Sequence, residues 1–362
     1  DPQEFFEDDD GDGFGDPDAV EMACEQPAGT VTRAGDCDDS KSGINPDAEE
    51  VCDEVDNDCD GLTDENEFTQ LFGGDGQGMC ATMKDSDGNS RLFCWGQNEY
   101  GEVGDGSTTD RSVPKLVANV ESKEFTEVAL GRHHTCGLTS NQELYCWGRN
   151  GEGQLGDRTK TNRSAPTEVE FESSLDVLSS VTVGSAHSCV VEFSGFGASR
   201  SPTAYCWGAN DVGQRGVGNP LPLGTPRPVE NKSELVEITA GENFTCAASA
   251  SGTNDYCWGN NGTGQLGDGS TTNREQPEMP VTGNHDFEQL VTSGKKTACG
   301  LTSEGQAYCW GEGIFNQIGD GDDSDHSIPQ RVSQGDVEFE EIAMANAWVC
   351  ARSTEDEVWC WG

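Results

Sequence analysis

Basic side chains are scarce: 21 Lys and Arg stand against 67 Asp and Glu in 362 residues, a formal net charge of −46. A field of that sign repels nucleic acid and anionic headgroups, so neither a nucleic-acid partner nor a basic membrane-docking patch is expected. Long apolar runs are missing as well. No stretch reaches the roughly 18–20 residues a spanning helix needs, which argues against direct membrane insertion. Residues 1–67 contain no His and no Trp, and Cys-x-x-Cys occurs nowhere in the chain, so the usual spacing for thiol redox chemistry is absent. Hydrophobic residues make up only 33%, too few for a large multilayer α/β enzyme core. Position 1 is Asp with no apolar signal segment before it; the numbering is expected to begin at a processed terminus or a cut.

Glycine and cysteine are abundant. There are 47 glycines, and the 16 cysteines are an even number that would be a liability in a reducing cytosol. A secreted or cell-surface protein with a disulfide framework is the economical expectation. The charge is uneven: residues 1–67 hold 25 acidic and two basic side chains (Arg33, Lys41), half of the net charge in less than a fifth of the chain. A boundary is therefore placed at residue 67, between an acidic module (1–67) and the remainder (68–362).

The remainder repeats. Cys-Trp-Gly occurs six times, with tryptophans 95, 147, 207, 258, 310 and 361 spaced by 52, 60, 51, 52 and 51 residues. A second cysteine precedes each motif. Ahead of that comes a short apolar alternation such as Phe125–Leu130, and after the first five motifs a glycine-rich turn such as Asn150–Asp157 (NGEGQLGD). A proline-led strand candidate follows, as at Pro114–Val117, Pro166–Val169 and Pro329–Val332. Each unit thus reads as four short strands bounded by Gly, Asn, Asp or Pro, with no helical period between them. Units of about 50 residues with four strands suit an all-β propeller, each blade covering its neighbour's apolar face. The pattern Gly-x-x-His-x-Cys … Tyr-Cys-Trp-Gly-x-Asn-x-x-Gly-Gln-Leu-Gly-Asp resembles the regulator of chromosome condensation repeat family. That resemblance implies a β-propeller, usually of seven blades; six units give six by count, so the blade number stays at six or seven. Eukaryotic members of the family exchange nucleotide on a small GTPase and touch chromatin. This acidic, cysteine-paired version departs from them on both counts. Secreted bacterial relatives act as binding modules, including a β-lactamase inhibitor, and offer the nearer analogy.

The sixth unit stops at Gly362, before its turn and last strand. A cut chain or internal closure is the first expectation for the open edge, and a strand donated head-to-tail by a neighbouring molecule is the second. Consecutive antiparallel strands would set the two cysteines of each unit opposite one another, giving Cys80–Cys94, Cys136–Cys146, Cys189–Cys206, Cys246–Cys257, Cys299–Cys309 and Cys350–Cys360. Gly151–Gly156 and Gly262–Gly267 satisfy G-x-G-x-x-G, yet the motif recurs once per repeat with no following helix, so it reads as a turn and not a dinucleotide site. His134 and His187 share a repeat position with Phe244, Thr297 and Trp348, which suits packing better than catalysis. No catalytic residue is assigned. The motif tryptophans invite a carbohydrate-platform reading, but their fixed place in every unit favours packing between blades.

In the acidic module, Asp56, Asp58, Asp60, Asp64 and Glu67 stand at positions 1, 3, 5, 9 and 12 of a calcium-type loop. Gly61 is at 6, and Leu62 offers a backbone carbonyl at 7. Calcium takes six to eight hard oxygens, and alternating side chains on a tightly curled loop converge that way. Asp8, Asp10, Asp12, Phe14 (through its carbonyl) and Asp16 repeat the first nine positions; position 12 is Ala19, leaving Asp18 or Glu21 to complete the shell. The stretch between the loops, together with residues 56–64, resembles a small acidic metal-binding repeat of bacterial surface proteins. That resemblance adds Asp36, Asp38 and Glu50 as ligands. It also carries a copper label, which the lack of His and Trp disfavours. Two or more structural Ca2+ ions are expected. The four cysteines here, Cys24, Cys37, Cys52 and Cys59, allow three connectivities, of which Cys24–Cys37 with Cys52–Cys59 is the one expected.

Taken together, the sequence points to an extracellular, non-enzymatic, calcium-stabilised propeller acting in adhesion, scaffolding or surface structure, with a protein partner or self-assembly. A secreted inhibitor or ligand receptor using the propeller face is the first alternative, and a carbohydrate-binding protein the second.

Overall fold

The computed structural model describes residues 2–48, 55–61, 68–74, 76–84, 89–120, 122–195, 200–218, 224–230, 234–250, 254–292, 295–333, 335 and 337–362. Among them no helix occurs, and 25 strands form seven sheets. The chain divides into two compact units, Asp1–Gln70 with Thr82–Arg91, and Leu71–Ala81 with Leu92–Gly362. The N-terminal sheet holds β1 (Gln3–Glu7), β2 (Val20–Ala23) and β3 (Thr30–Val31) in the order β2-β1-β3.

The other six sheets each carry one Cys-Trp-Gly motif. The second is typical: Phe125–Leu130, His134–Thr139, Leu144–Gly148 and Arg163–Glu168 run as an antiparallel meander. The proline-led segment is its fourth strand, with Pro166 inside it. Four of the six sheets have four strands and two have three. In the fourth unit, isolated bridges Tyr256↔Pro280 and Gly259↔Arg274 stand in place of a continuous outer strand.

Successive sheets share their cores. Five buried clusters each draw on two neighbouring units; one joins Cys136, Leu138, Leu144 and Leu155 to Val183, Val190 and Trp207. The motif tryptophans supply the register. Each of five indole N–H groups donates to a turn carbonyl of the preceding unit: Trp147 to Glu102 at 2.8 Å, Trp207 to Gln154 at 2.8 Å, Trp258 to Gln214 at 3.1 Å, Trp310 to Gln265 at 3.0 Å and Trp361 to Gln317 at 3.1 Å. Burying an aromatic with its polar handle bonded is the favourable use of Trp. Those rings serve packing and offer no open sugar platform.

Four of the five turns that receive a tryptophan are built by one asparagine, Asn98, Asn150, Asn210 or Asn261, whose Oδ1 accepts a backbone N–H five residues on; Gly313 stands in its place in the fifth. Asn150 Oδ1 accepts the Leu155 N–H at 3.0 Å while its Nδ2 donates to Asp157 at 2.9 Å, and Asp157 pairs with Arg163 of the fourth strand at 2.7 Å. Asn261, Asp268 and Arg274 repeat the device. The G-x-G-x-x-G segments are therefore turns, as their recurrence predicts.

Within each propeller sheet, the paired cysteines are bridged with Cα–Cα separations of 4.0–4.2 Å: 80–94, 136–146, 189–206, 246–257, 299–309 and 350–360. The acidic module departs from expectation. Cys37 bridges Cys59 at a Cα–Cα distance of 5.6 Å, and Cys24 is a free, exposed thiol. The Cys24–Cys37 and Cys52–Cys59 pairing is thus overturned, and Cys52 itself lies outside the described residues. The two segments are brought together by the backbone: Asn45 N–H donates to Asn57 O at 2.9 Å, which sets the loop carrying Cys59 beside the one carrying Cys37.

Candidate metal centre

The acidic module has a small core of Phe5, Phe14 and Ile44, each at most 6% exposed. So little apolar burial calls for other fasteners. The first loop leaves β1 at Asp8 and curls because successive carboxylates cap the backbone ahead of them. Asp8 Oδ1 accepts from Gly11 N–H (2.7 Å), Asp10 Oδ1 from Asp12 (3.2 Å), Asp12 Oδ1 from Phe14 (2.9 Å) and Asp16 Oδ1 from Asp18 (2.8 Å). Gly11 and Gly13 adopt the positive φ values, 83° and 100°, that the curl requires.

A second loop is laid against it by backbone bonds around Gly15, with Gly15 N–H to Arg33 O at 3.0 Å and Gly35 N–H to Gly15 O at 3.2 Å. Asp39 Oδ1 then accepts the Asp9 N–H at 3.2 Å, and Asn45 Nδ2 donates to Asp12 Oδ2 at 2.8 Å. The outcome is two acidic cups. Carboxylate oxygens of Asp8, Asp10 and Asp39 lie within 4.8 Å of one another, and so do those of Asp10, Asp12 and Asp36. A third group, Asp56, Asp58 and Asp60, forms in the second calcium-type loop, where Asp56 also accepts Gly61 N–H at 3.0 Å.

Electrostatics mark the first region. Asp36 is 2% exposed, and its Oδ2, like that of Asp10, is buried without a hydrogen-bond partner. Burial first, and then the charges of Asp12 and Asp10, push the Asp36 carboxyl above the usual range; burial likewise raises Asp39. Orphaned carboxylate oxygens with only oxygen donors around them fit a hard cation such as Ca2+ or Mg2+. The bridge Cys37–Cys59 links the second acidic loop to the third.

Not every expected ligand joins these groups. Asp16 caps its own turn. Asp38 bonds Lys41 and Ser40, which hold its carboxyl below the ordinary value. Phe14 is buried, with the Arg33 guanidinium 3.8 Å from its ring centroid. Glu50, Leu62, Asp64 and Glu67 lie outside the described residues. Asp39, not selected from the sequence, is the addition; its only signal there is adjacency to Asp38 in Gly-Asp-Cys-Asp-Asp.

Two propeller histidines bridge successive units. His134 Nε2 bonds Ser188 Oγ at 2.8 Å and His187 Nε2 bonds Thr245 Oγ1 at 2.9 Å, each reaching the following unit from full burial. Burial lowers them to about 3 and about 4, so both stay neutral.

Comparison with known proteins agrees with this anatomy. The "Regulator of chromosome condensation (RCC1) repeat" profile matches residues 89–138, 141–191, 203–248 and 304–351, more than half of the chain. A related profile of the same repeat matches 125–154 and 289–317. The "Putative metal-binding motif" family matches 36–65. The Ultraviolet-B receptor UVR8 of Arabidopsis thaliana is 28% identical over 263 residues, covering 72% of this chain and 57% of the receptor. The E3 ubiquitin-protein ligase HERC2 of Homo sapiens is 29% identical over 247 residues, covering 67% of this chain and 5% of the ligase. The chain thus spans little more than half of the one relative and a small part of the other. Among solved structures, yeast RCC1 (Prp20) bound by Kap60 superposes with a TM-score of 0.66 at 19% identity, over 83% of this chain and 70% of that one. Human WBSCR16 superposes at 0.64 and 19%, over 78% and 71%.

Proposed function

The chain belongs to the regulator of chromosome condensation repeat family, and from that premise we propose that it is a non-enzymatic extracellular propeller with a calcium-stabilised acidic module, acting as a scaffold or adhesion protein at a surface. The observation that carries this reading is the disulfide inside each of the six propeller sheets. Such a framework persists in oxidising compartments and not in a reducing cytosol. Calcium is favoured because the acidic cups offer oxygen alone. The boundary at residue 67 separates the ion-holding module from the repeats that would meet a partner. A protein partner has a parallel in yeast Prp20, a structure of which concerns binding to Gsp1p and histones.

A second reading, association of this chain with a further copy of itself, is favoured by the last unit. Trp348 is 62% exposed and Val358 71%, two apolar side chains on one sheet that a partner surface would cover. Sedimentation velocity on the purified chain, in calcium and then in chelator, tests both. Concentration-dependent polymers that dissolve in chelator are the result expected of a calcium-dependent assembly. A compact monomer in both would remove self-association, and a sedimentation coefficient identical in calcium and chelator would count against the calcium-stabilised module of the first reading.

A further inference from the structure

We propose that the acidic module holds two neighbouring divalent cations that share Asp10, one among Asp8, Asp10 and Asp39 and the other among Asp10, Asp12 and Asp36. The inference rests on the calcium reading above for the kind of ion. It goes past that reading in setting two ions side by side on one pair of loops, in the bridging residue and in Asp39.

A single calcium-type loop would direct Asp8, Asp10, Asp12 and Asp16 at one ion. The fold divides them instead. Asp10 belongs to both three-carboxylate groups, each with oxygens within 4.8 Å of one another, and the third member of each group comes from the loop at 36–39. A cluster of acids alone would not make a site, because acids on a surface are solvated. Asp36 is different: it is 2% exposed, its Oδ1 is engaged by the Asp38 N–H at 2.8 Å, and its Oδ2 is buried with nothing to bond. A buried carboxylate oxygen left without a donor costs free energy unless a cation takes it. Asp10 Oδ2 is in the same state, while its Oδ1 accepts the Asp12 N–H at the long distance of 3.2 Å.

The charge balance calls for more than one ion. Five carboxylates converge here, and the only two basic side chains in residues 1–67 are committed elsewhere. Arg33 pairs with Asp47 at 2.8 Å, and Lys41 pairs with Asp38. Like charges this close repel one another even in water, and more strongly where solvent is excluded. One divalent cation leaves the five carboxylates with a net −3, and two leave −1. The second ion also has a mechanical consequence: together the pair fastens residues 8–12 to residues 36–39 through ion–oxygen bonds on both sides of Asp10.

Ion counting by equilibrium dialysis with Ca2+ tests this on the full chain, with Asp58→Asn and Asp60→Asn introduced to silence the third group. That background is expected to hold two Ca2+. Adding Asp39→Asn or Asp36→Asn should leave one, and adding Asp10→Asn should leave none. One ion in the background, or one retained by Asp10→Asn, overturns the shared site while leaving calcium binding intact; no ion bound by the parent chain overturns the calcium reading itself. Should Asp10→Asn disturb folding, electron paramagnetic resonance of the chain without the Asp10 substitution, loaded with Mn2+, gives the answer independently. A spin-coupled pair is expected, and the signal of isolated ions alone overturns the proposal.

Discussion

The absent Cβ of Gly156 sets how closely two units approach. Gly156 has φ +71°, and a Cβ there would sit 2.9 Å from Trp207 Nε1 and 2.8 Å from Val169 Cγ1. Gly267 stands in the same relation to Trp310, at φ +66° and 2.8 Å. Gly106 is a control: its φ is +84° but a Cβ would meet nothing within 4 Å. Gly156→Ala is expected to cost about 2–4 kcal/mol, combining left-handed strain with overpacking. Gly106→Ala should cost about 1 kcal/mol, from the backbone alone. Guanidinium unfolding of both variants checks the difference, and equal losses would dismiss the packing role. At this scale the sequence was partly transparent. The glycine-rich turn and the tryptophan recur with the repeat, so their importance shows before their contacts do; the arginine that closes the turn, Arg163 or Arg274, shows only in the structure. Asp39 and the Cys37–Cys59 bridge did not show, because they depend on which of two acidic loops, some 25 residues apart, lies on the other. Spacing along one loop carries no record of that.

Between strands, two kinds of interaction repeat from unit to unit, and each has its own signature. The cross-strand bridge closes short loops; Cys299→Ala with Cys309→Ala should lower stability by roughly 2–4 kcal/mol under the chain-entropy account. A chemical-denaturation midpoint unchanged by the double substitution would contradict it. The other is a polar side chain on the first strand reaching the backbone of the next unit. Glu127 Oε2 accepts Val181 N–H at 3.0 Å and Gln289 Oε1 accepts Ile342 N–H at 3.0 Å. Glu237 does the same toward Leu290, but burial pushes its carboxyl up to about 7 against the opposing pull of that N–H. Burial also raises Asp255 nearby to about 6. A raised carboxyl binds its proton more tightly in the folded state. Its contribution is therefore complete below the unfolded value and is lost as pH rises through about 7. The buried His134 and His187 act oppositely, costing stability as pH falls below 6.5 toward about 3 and about 4. Glu237→Gln keeps an acceptor and removes the titration. Its stability relative to the parent should therefore improve by about 1–3 kcal/mol between pH 5 and pH 8. Thermal unfolding at the two pH values reads this directly, and a constant difference would remove Glu237 as the titrating group. The sheets themselves were the most legible part of the chain, since six copies of one strand pattern reinforce a signal that one copy would leave ambiguous. The three-stranded sheet of the fourth unit has no signature in the sequence, because a single outer strand is too short to carry a period of its own.

For the whole molecule, the uneven charge separates two stabilities. Half of the net −46 lies in residues 1–67, where the buried apolar side chains are few and the carboxylates crowd into cups. The propeller holds itself with five shared cores and six bridges, none of which uses a metal. An ion that binds only the folded module stabilises it by mass action, by about 3 kcal/mol at a hundred times its dissociation constant. Scanning calorimetry should accordingly show two transitions in calcium. Chelator should move the lower one down by tens of degrees, or abolish it, while shifting the upper one little. Added salt supplies a separate check. Sodium chloride at about 0.5 M shortens the screening length to roughly 4–5 Å, which weakens carboxylate repulsion without replacing the coordination that a divalent ion gives. Salt should therefore recover part of the lost transition in chelator, and calcium all of it. If salt alone restored the transition in full, general charge repulsion would account for the acidic module and no specific ion would be needed. If chelator moved both transitions together, the propeller would depend on an ion that its cores and bridges do not require.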